Sequence, residues 1–446
     1  MFKITMITLG CDKNTVDSEE MLGILKKRGY DLTNDPEDAD AAIVNTCSFI
    51  NDAKKESIEA IIETAKLKEG KLQFLIAAGC MAERYKEEIE EELPEIDAFV
   101  GTTGFTQIAD VIDRLRNGEK SIKVYSDINK RTEVDAPRII TSHPYMEYLK
   151  IAEGCNKRCT YCAIPSFRGN FRSAPMERLV KTAKELALNG VKELILVAQE
   201  TTLYGIDLYG EKSLHKLLRK LSEIDGIEWI RLLYCYPEEI YPELIEEMAT
   251  NPKVLHYIDI PLQHTEDSML QRMGRRVRRH DIYVIVDKLR AKMPDITIRT
   301  TFITGFPGET KEDHENLMEM INEIEFDRLG VFTYSPEEDT PAASFPDQID
   351  EETKELYRNE IMELQQEICY DKNQTFVGKT MDCIIEGYMP DDDVYSARTY
   401  RDAPDVDCYV FVRSDRELMS GEIVPVKITD AAEYDLIGDI CNEDEE

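Results

Sequence analysis

Three segments near the N-terminus repeat one pattern: an apolar strand, a cysteine at its end and then a polar helical stretch. They run from Ile4 to Cys11, from Ala41 to Cys47 and from Phe74 to Cys80. Strands alternating with helices in this way call for a parallel α/β sheet, because a parallel return needs a crossover connection. Ligands of such sheets gather at the carboxyl ends of the strands, so Cys11, Cys47 and Cys80 are expected to converge on one edge. Taken singly, each cysteine reads as a small buried hydrophobe. Three at equivalent strand ends, in Leu9-Gly-Cys-Asp-Lys-Asn14, Asn45-Thr-Cys-Ser48 and Ala78-Gly-Cys-Met81, read as one ligand set whose small neighbours permit close backbone approach.

A second triplet, Cys155, Cys159 and Cys162, lies in Glu153-Gly-Cys-Asn-Lys-Arg-Cys-Thr-Tyr-Cys-Ala-Ile-Pro165, with C-x3-C-x2-C spacing. Structural zinc asks for four protein ligands, and no second pair or neighbouring His completes this set. Soft thiolates select iron-sulfur clusters, so an incomplete triplet points to a 4Fe-4S cluster with one iron open to an outside ligand. The segment resembles the radical S-adenosylmethionine (SAM) superfamily, with Tyr161 in the aromatic place of its signature. That resemblance implies reductive cleavage of SAM to a 5′-deoxyadenosyl radical. The other cysteines, Cys235, Cys369, Cys383, Cys408 and Cys441, match no ligand spacing and read as structural thiols.

The chain has 446 residues, 42% of them hydrophobic, enough for a large core in two or three domains. No apolar run reaches membrane-spanning length. The first ten residues read as a strand leading into a turn, not as a signal peptide, which places the protein in the cytoplasm. Eleven cysteines held reduced there favour metal ligation over disulfides. A formal net charge of −35 argues against general affinity for nucleic acid and suits a basic protein partner; solubility alone is the competing explanation.

The expected organisation is an N-terminal parallel α/β cluster domain over 1–125, a linker over 126–145, a β/α partial TIM-like barrel over 146–373 and a small antiparallel β-barrel over 374–442. The polar stretch from about 103 to 140 reads as the connection between the first two domains. Candidate barrel strands are Met146 to Ile151, Glu193 to Ala198, Trp229 to Tyr234, Tyr257 to Ile260, Ile296 to Thr301 and Arg328 to Tyr334, with the second cysteine loop after the first of them. A helix from Glu351 to Asn373 precedes strands at Val377 to Ile385, Asp407 to Arg413 and Ile423 to Thr429. Residues 442–446 read as a frayed acidic end.

Several loops at strand ends are candidate ligand contacts. Gly305 and Gly308, in Thr304-Gly-Phe-Pro-Gly-Glu-Thr310, suit a backbone packed against a nucleotide-like ligand. Gln199 and Glu200 end another strand, where either can receive the ammonium of SAM or serve as an ordinary loop polar group. His264 reads as a proton carrier or, more simply, a satisfied loop imidazole. Arg272, Arg275, Arg276, Arg278 and Arg279 form an anion site or a solvated helix end.

Two cysteine triplets in this order, followed by a small β-barrel, resemble the methylthiotransferases over essentially the whole chain. The resemblance implies two 4Fe-4S clusters, with Cys155, Cys159 and Cys162 on the SAM-cleaving one and Cys11, Cys47 and Cys80 on the auxiliary one. It implies SAM used twice, as methyl donor and as radical source, and a reductant such as flavodoxin. Leu9-Gly-Cys-Asp-Lys-Asn-Thr-Val-Asp-Ser-Glu19, Ile230-Arg-Leu-Leu-Tyr-Cys-Tyr-Pro237 and Pro261-Leu-Gln-His264 are similar to the branch that modifies a ribosomal protein. That branch implies 3-methylthioaspartate on small-subunit ribosomal protein twelve, free or on the ribosome. The alternatives are an enzyme acting on a tRNA adenosine and a non-catalytic iron-sulfur scaffold. Residues 375–446 hold six Lys or Arg against nineteen Asp or Glu, which disfavours tRNA. One departure from the family pattern is Ala174, where an Arg is usual before Pro175, leaving Arg172 as the candidate substitute cation.

Overall fold

A computed structural model describes residues 2–134 and 136–441; the acidic end at 442–446 lies outside them. The first sheet contains β1 (Lys3–Thr8), β2 (Asp31–Leu32), β3 (Ala41–Thr46), β4 (Phe74–Gly79), β5 (Ala98–Val100) and β6 (Ile122–Val124). Its order is β2-β1-β3-β4-β5-β6, parallel throughout. Helices cover both faces, so β3 is buried along its whole length and reads as a continuous apolar run without alternation. The three strands that end in cysteine are neighbours.

The region from 104 to 124 corrects the expectation of a long connection. Helix Ile108–Arg116 buries Ile108, Val111, Ile112 and Leu115 against the sheet, and β6 completes it. The helix's charged residues lie on its outer face, and those gave the stretch its linker-like composition.

The second sheet is an open half-barrel in the order β14-β13-β12-β11-β10-β7. It is built from β7 (Met146–Lys150), β10 (Glu193–Val197), β11 (Trp229–Leu232), β12 (Val254–Gln263), β13 (Thr297–Thr304) and β14 (Arg328–Thr333). Between β7 and β10, a two-stranded ribbon of β8 (Ala152–Glu153) and β9 (Arg172–Ser173) frames the second cysteine loop. Helix Glu351–Gln374 then leads to the C-terminal domain.

That domain is a closed barrel of β15 (Thr380–Met389), β16 (Val394–Arg398), β17 (Val410–Arg413), β18 (Ile423–Ala431) and β19 (Leu436–Ile440), in the order β15-β16-β17-β19-β18. It is not wholly antiparallel as expected: β17 and β19 pair in parallel. β19 enters between β17 and β18, so closing the barrel forces one pair to run the same way.

The small barrel docks on the half-barrel sheet through buried charge. Glu193 accepts from Arg231 Nε (2.7 Å) and from Arg398 Nη2 of β16 (2.8 Å). Arg299 joins Asp259 (2.9 Å) to Asp407 (3.2 Å), and Arg328 meets Asp402 (2.6 Å). At this junction Arg328 Nη1 also donates to Cys369 Sγ of the long helix (3.4 Å), so this structural thiol sits beside the buried charges.

At the other junction, Arg138 binds Glu19 of helix Asp12–Arg28 and Glu147 of β7 (2.8 Å). Burial pushes the Glu147 carboxyl up to about 7, with Arg138 pulling it down and Glu19 pushing it further up. The folded chain therefore keeps a proton that the unfolded chain releases above its ordinary value of 4.5, and stability from this site falls as pH rises from about 4.5 to 7. Between pH 5 and pH 8, the stability of Glu147→Gln relative to wild type is expected to improve by on the order of 2 kcal/mol. Denaturant titrations at the two pH values check this, and a pH-independent difference would contradict it.

Candidate functional site

The N-terminal thiols sit where the sheet turns into its helices. Gly10 (φ 85) and Gly79 (φ 89) take the left-handed region just before Cys11 and Cys80. A Cβ on Gly10 would lie 2.7 Å from Cys47 Sγ, which measures how closely the first two loops abut. Asn14 locks them together by donating to Leu9 O (2.8 Å) and Thr46 O (3.1 Å). Ser57 holds the Cys47 backbone from both sides, accepting from its N–H (3.0 Å) and donating to its carbonyl (2.9 Å).

The second triad occupies the loop after β8. Gly154 (φ 76) packs so tightly that a Cβ would sit 2.2 Å from Asn170 O. Gln199 clamps the loop's root, accepting from Gly154 N–H (2.8 Å) and donating to Glu153 (2.8 Å). Thr160 fastens its middle to Arg272 O (2.8 Å) and Met273 O (2.9 Å).

Two bridges run between the triads. On one side, the Tyr234 hydroxyl donates to Asp12 beside Cys11 (3.1 Å), and the Lys13 ammonium lies 3.5 Å above the Tyr234 ring. Two residues on, the Tyr236 hydroxyl lies 3.8 Å from Cys159 Sγ. On the other side, Arg168 reaches from the second loop to Cys80, donating to its Sγ from Nε (3.3 Å) and Nη2 (3.2 Å). Nothing in the sequence marked these partners as a site; an arginine just after a thiol loop in an acidic chain is the only local signal.

The donor chemistry fits iron-sulfur clusters. Both triads are pure thiol sets. Such sets suit a polynuclear body better than zinc. Burial pushes the thiols of Cys80 and Cys162 up to about 12 and that of Cys155 to about 11, so they stay protonated at neutral pH unless a bound metal displaces the proton.

Polar groups without partners surround the second triad. A cavity of about 100 Å³ is lined by Asn156, Cys159, Tyr236, Arg275 and Arg276. Arg275 is buried, and its Nε and Nη1 have no acceptor. Glu200 is fully buried; Oε1 accepts from Thr202 N–H (3.0 Å) and Oε2 has no partner. Burial raises this carboxyl to about 8 against the pull of Thr202. A zwitterionic ligand would match these opposite orphans.

Other candidates find different places. Tyr161 meets Phe306 edge to face at 6.5 Å, so its ring belongs to the apolar wall beside the loop. Gly305 and Gly308 face protein: added Cβ atoms would lie 2.0 Å from Lys354 Cγ and 2.9 Å from Arg272 Cζ. The Gly305 and Phe306 N–H groups donate to Glu309, so this loop offers no free backbone donor at either position. His264 is a satisfied imidazole, with Nδ1 accepting from Glu266 N–H (3.0 Å) and Nε2 lying 3.4 Å from Glu309. The arginine group divides: Arg275 and Arg276 line the cavity, whereas Arg279 pairs with Glu266. Arg172 does not replace the cation missing at Ala174, because it donates to its own loop at Asn170 O (2.6 Å).

Comparison with known proteins follows the same division. Residues 3–101 match the uncharacterized protein family UPF0004, 149–321 the radical SAM superfamily and 377–441 the TRAM domain. Fold and site thus define a radical SAM protein with an added N-terminal thiol triad and a C-terminal TRAM barrel. Ribosomal protein uS12 methylthiotransferase RimO of Lachnoclostridium phytofermentans is 54% identical over 98% of this chain and 99% of its own. The protein of the same name from Thermoanaerobacter sp. is 48% identical over 98% of this chain and 100% of its own. The chain belongs to the ribosomal protein uS12 methylthiotransferase family. Among solved structures, its fold is similar to that of the radical S-adenosylmethionine methyltransferase TsrM from Kitasatospora setae (TM-score 0.57, 13% identity, 86% of this chain and 78% of that one). It is also similar to the cobalamin-dependent radical enzyme OxsB (TM-score 0.52, 13% identity, 82% and 56%). Among the described residues no helix is long and apolar enough to cross a membrane.

Proposed function

We propose that this chain transfers a methylthio group to the β-carbon of an aspartate in ribosomal protein uS12, giving 3-methylthioaspartate, with SAM as methyl donor and radical source. The observation that carries this reading is identity of 54% over nearly the full length to a relative of that name. Cys155, Cys159 and Cys162 hold one 4Fe-4S cluster and leave an iron for SAM; Cys11, Cys47 and Cys80 hold the other. When bound, the first cluster would supply the electron that cleaves SAM to the radical that abstracts hydrogen, and the second would serve as a sulfur carrier.

The protein's part is placement. Gln199 fixes the root of the cluster loop, and Glu200, with a free buried oxygen, receives the ammonium of SAM. A neighbouring cation is what allows so buried a carboxyl to ionise. Arg275 offers its two unpartnered donors to the carboxylate end. Tyr161 and Phe306 shield the site from water. Electrons come from a one-electron carrier such as flavodoxin, and the protein works in the cytoplasm, with the ribosomes.

Charge supports a protein substrate over tRNA. Of the charged residues after 374, Arg398 and Arg401 are buried at the docking face together with Asp402 and the side chain of Asp407, so the acidic excess of this region stays on the outer barrel. Such a surface repels a phosphate backbone and suits a basic ribosomal protein. The test incubates reconstituted, reduced protein anaerobically with SAM and either uS12 or tRNA, then measures substrate mass and deoxyadenosine. A methylthio increase on uS12 alone is expected, with uS12 binding that weakens as salt rises. An increase on tRNA alone would overturn the substrate, and clusters that yield no deoxyadenosine would leave only a scaffold.

A further inference from the structure

Arg168 ends the short helix Ile164–Arg168, six residues beyond Cys162, yet its head group lies among residues of the N-terminal domain. It is 3% exposed. Beyond its two contacts to Cys80, Nη1 donates to Asp17 Oδ2 (2.7 Å) and Glu153 Oε2 (3.2 Å), and Nη2 donates to Asn14 Oδ1 (2.5 Å). These are five N–H contacts to four acceptor atoms, Cys80 Sγ accepting two, so the fork is saturated and its plane fixed.

The acceptors belong to both triads. Cys80 is a thiol of the first, Asn14 ties that triad's loops together, and Glu153 is the residue that Gln199 clamps at the root of the second. Asp17 and Glu153 are both paired with Lys150 as well, so two cations balance two carboxylates and what reaches the thiol from Arg168 is its pair of directed N–H groups. Hydrogen bonds to cluster sulfurs and nearby positive charge favour the reduced, more negative state.

We infer that Arg168, supplied by the radical SAM domain, is a positioning residue for the auxiliary cluster: its two N–H···S contacts orient Cys80 and raise that cluster's reduction potential. This rests on the reading that Cys11, Cys47 and Cys80 hold a cluster. It makes the second domain a contributor to the electronics of the first, beyond packing against it.

Wild type, Arg168→Lys and Arg168→Gln, each reconstituted anaerobically, are compared by redox titration with EPR detection. The signal that changes on adding SAM belongs to the second triad, and the other is the auxiliary cluster. Arg168→Gln is expected to move the auxiliary cluster to lower potential with an altered signal, and Arg168→Lys, which keeps the charge without the fork, to an intermediate value. Methylthiolation by Arg168→Gln is expected to fall about 10- to 100-fold. Wild-type potentials in both variants would overturn the inference. If Arg168→Gln loses the auxiliary cluster, Arg168→Lys decides: an intermediate potential supports the inference and a wild-type potential overturns it. A wild type that assembles no auxiliary cluster would overturn the ligand reading itself, which is a separate failure.

Discussion

Cys159→Ala is expected to reduce deoxyadenosine formation to background, whereas Cys47→Ala keeps it and stops methylthiolation. The two thiols are comparable as packing units, each 6% exposed, so both substitutions leave a small void worth on the order of 1–2 kcal/mol. They differ in what they serve. Cys159 lies beside Tyr236 and the cavity lined by Arg275, whose Nε and Nη1 lack acceptors and where SAM is proposed to bind. Cys47 is held by Ser57 within the N-terminal domain, so its loss leaves the second loop and its clamps intact. Cys80 would be a poorer choice, since removing its sulfur also strips two Arg168 N–H groups of their shared acceptor. Deoxyadenosine and substrate mass, measured on the same samples, give the answer. Loss of cleavage in both variants would end the assignment of separate tasks to the two triads.

The largest effect on stability is expected at Glu193. The carboxylate is wholly buried at the start of β10 and is shared by Arg231 of its own sheet and Arg398 of the small barrel. Burial raises its proton affinity, yet the two guanidiniums outweigh burial and hold the carboxyl below its ordinary value. Glu193→Gln keeps the shape, removes the charge and turns an amide N–H toward a guanidinium. Two buried cations then share no anion at this point, and breaking such a pair costs about 3–5 kcal/mol. Because the stabilisation belongs to the ionised carboxyl, it is present at neutral pH and lost as pH falls through the depressed folded value. The chain has one tryptophan, Trp229, packed with Ile384 and Ala403 of the small barrel, so its fluorescence in a urea titration reports on this junction. A variant within about 1 kcal/mol of wild type would mean that the Glu193 pair adds nothing to the joint, which then rests on apolar packing and the pairs of Arg299 and Arg328.

What could be read from the sequence was whatever is written locally. Cysteines at the ends of apolar strands announced both the parallel sheet and the loops that follow it, because strand, glycine turn and thiol are consecutive. The half-barrel strands were legible for the same reason. Helix Ile108–Arg116 was missed because its charged face dominates the composition, while its four buried aliphatics are spread at helical spacing. β16 and β19 are short and carry Ser, Arg, Gly and Asp, so pairing, not propensity, makes them strands. Gly305 and Gly308 looked like ligand-facing turns, yet the space beside them is filled by Lys354 and Arg272 from distant segments. Arg168 and Cys80 are 88 residues apart, and Tyr234 and Asp12 are 222 apart; only the packed domains bring them together.

The placement of Arg398 and Arg401 has a consequence for how proteins of this plan diversify. The attachments that hold the small barrel are internal, while its outward surface carries no part of that attachment. Exposed carboxylates such as Asp391, Asp392 and Asp393 can therefore be exchanged for lysines or arginines without loosening the joint. If the outer barrel meets the substrate, as proposed, partner choice and assembly are separable traits, because the surface charge can change while the buried pairs of the joint stay as they are.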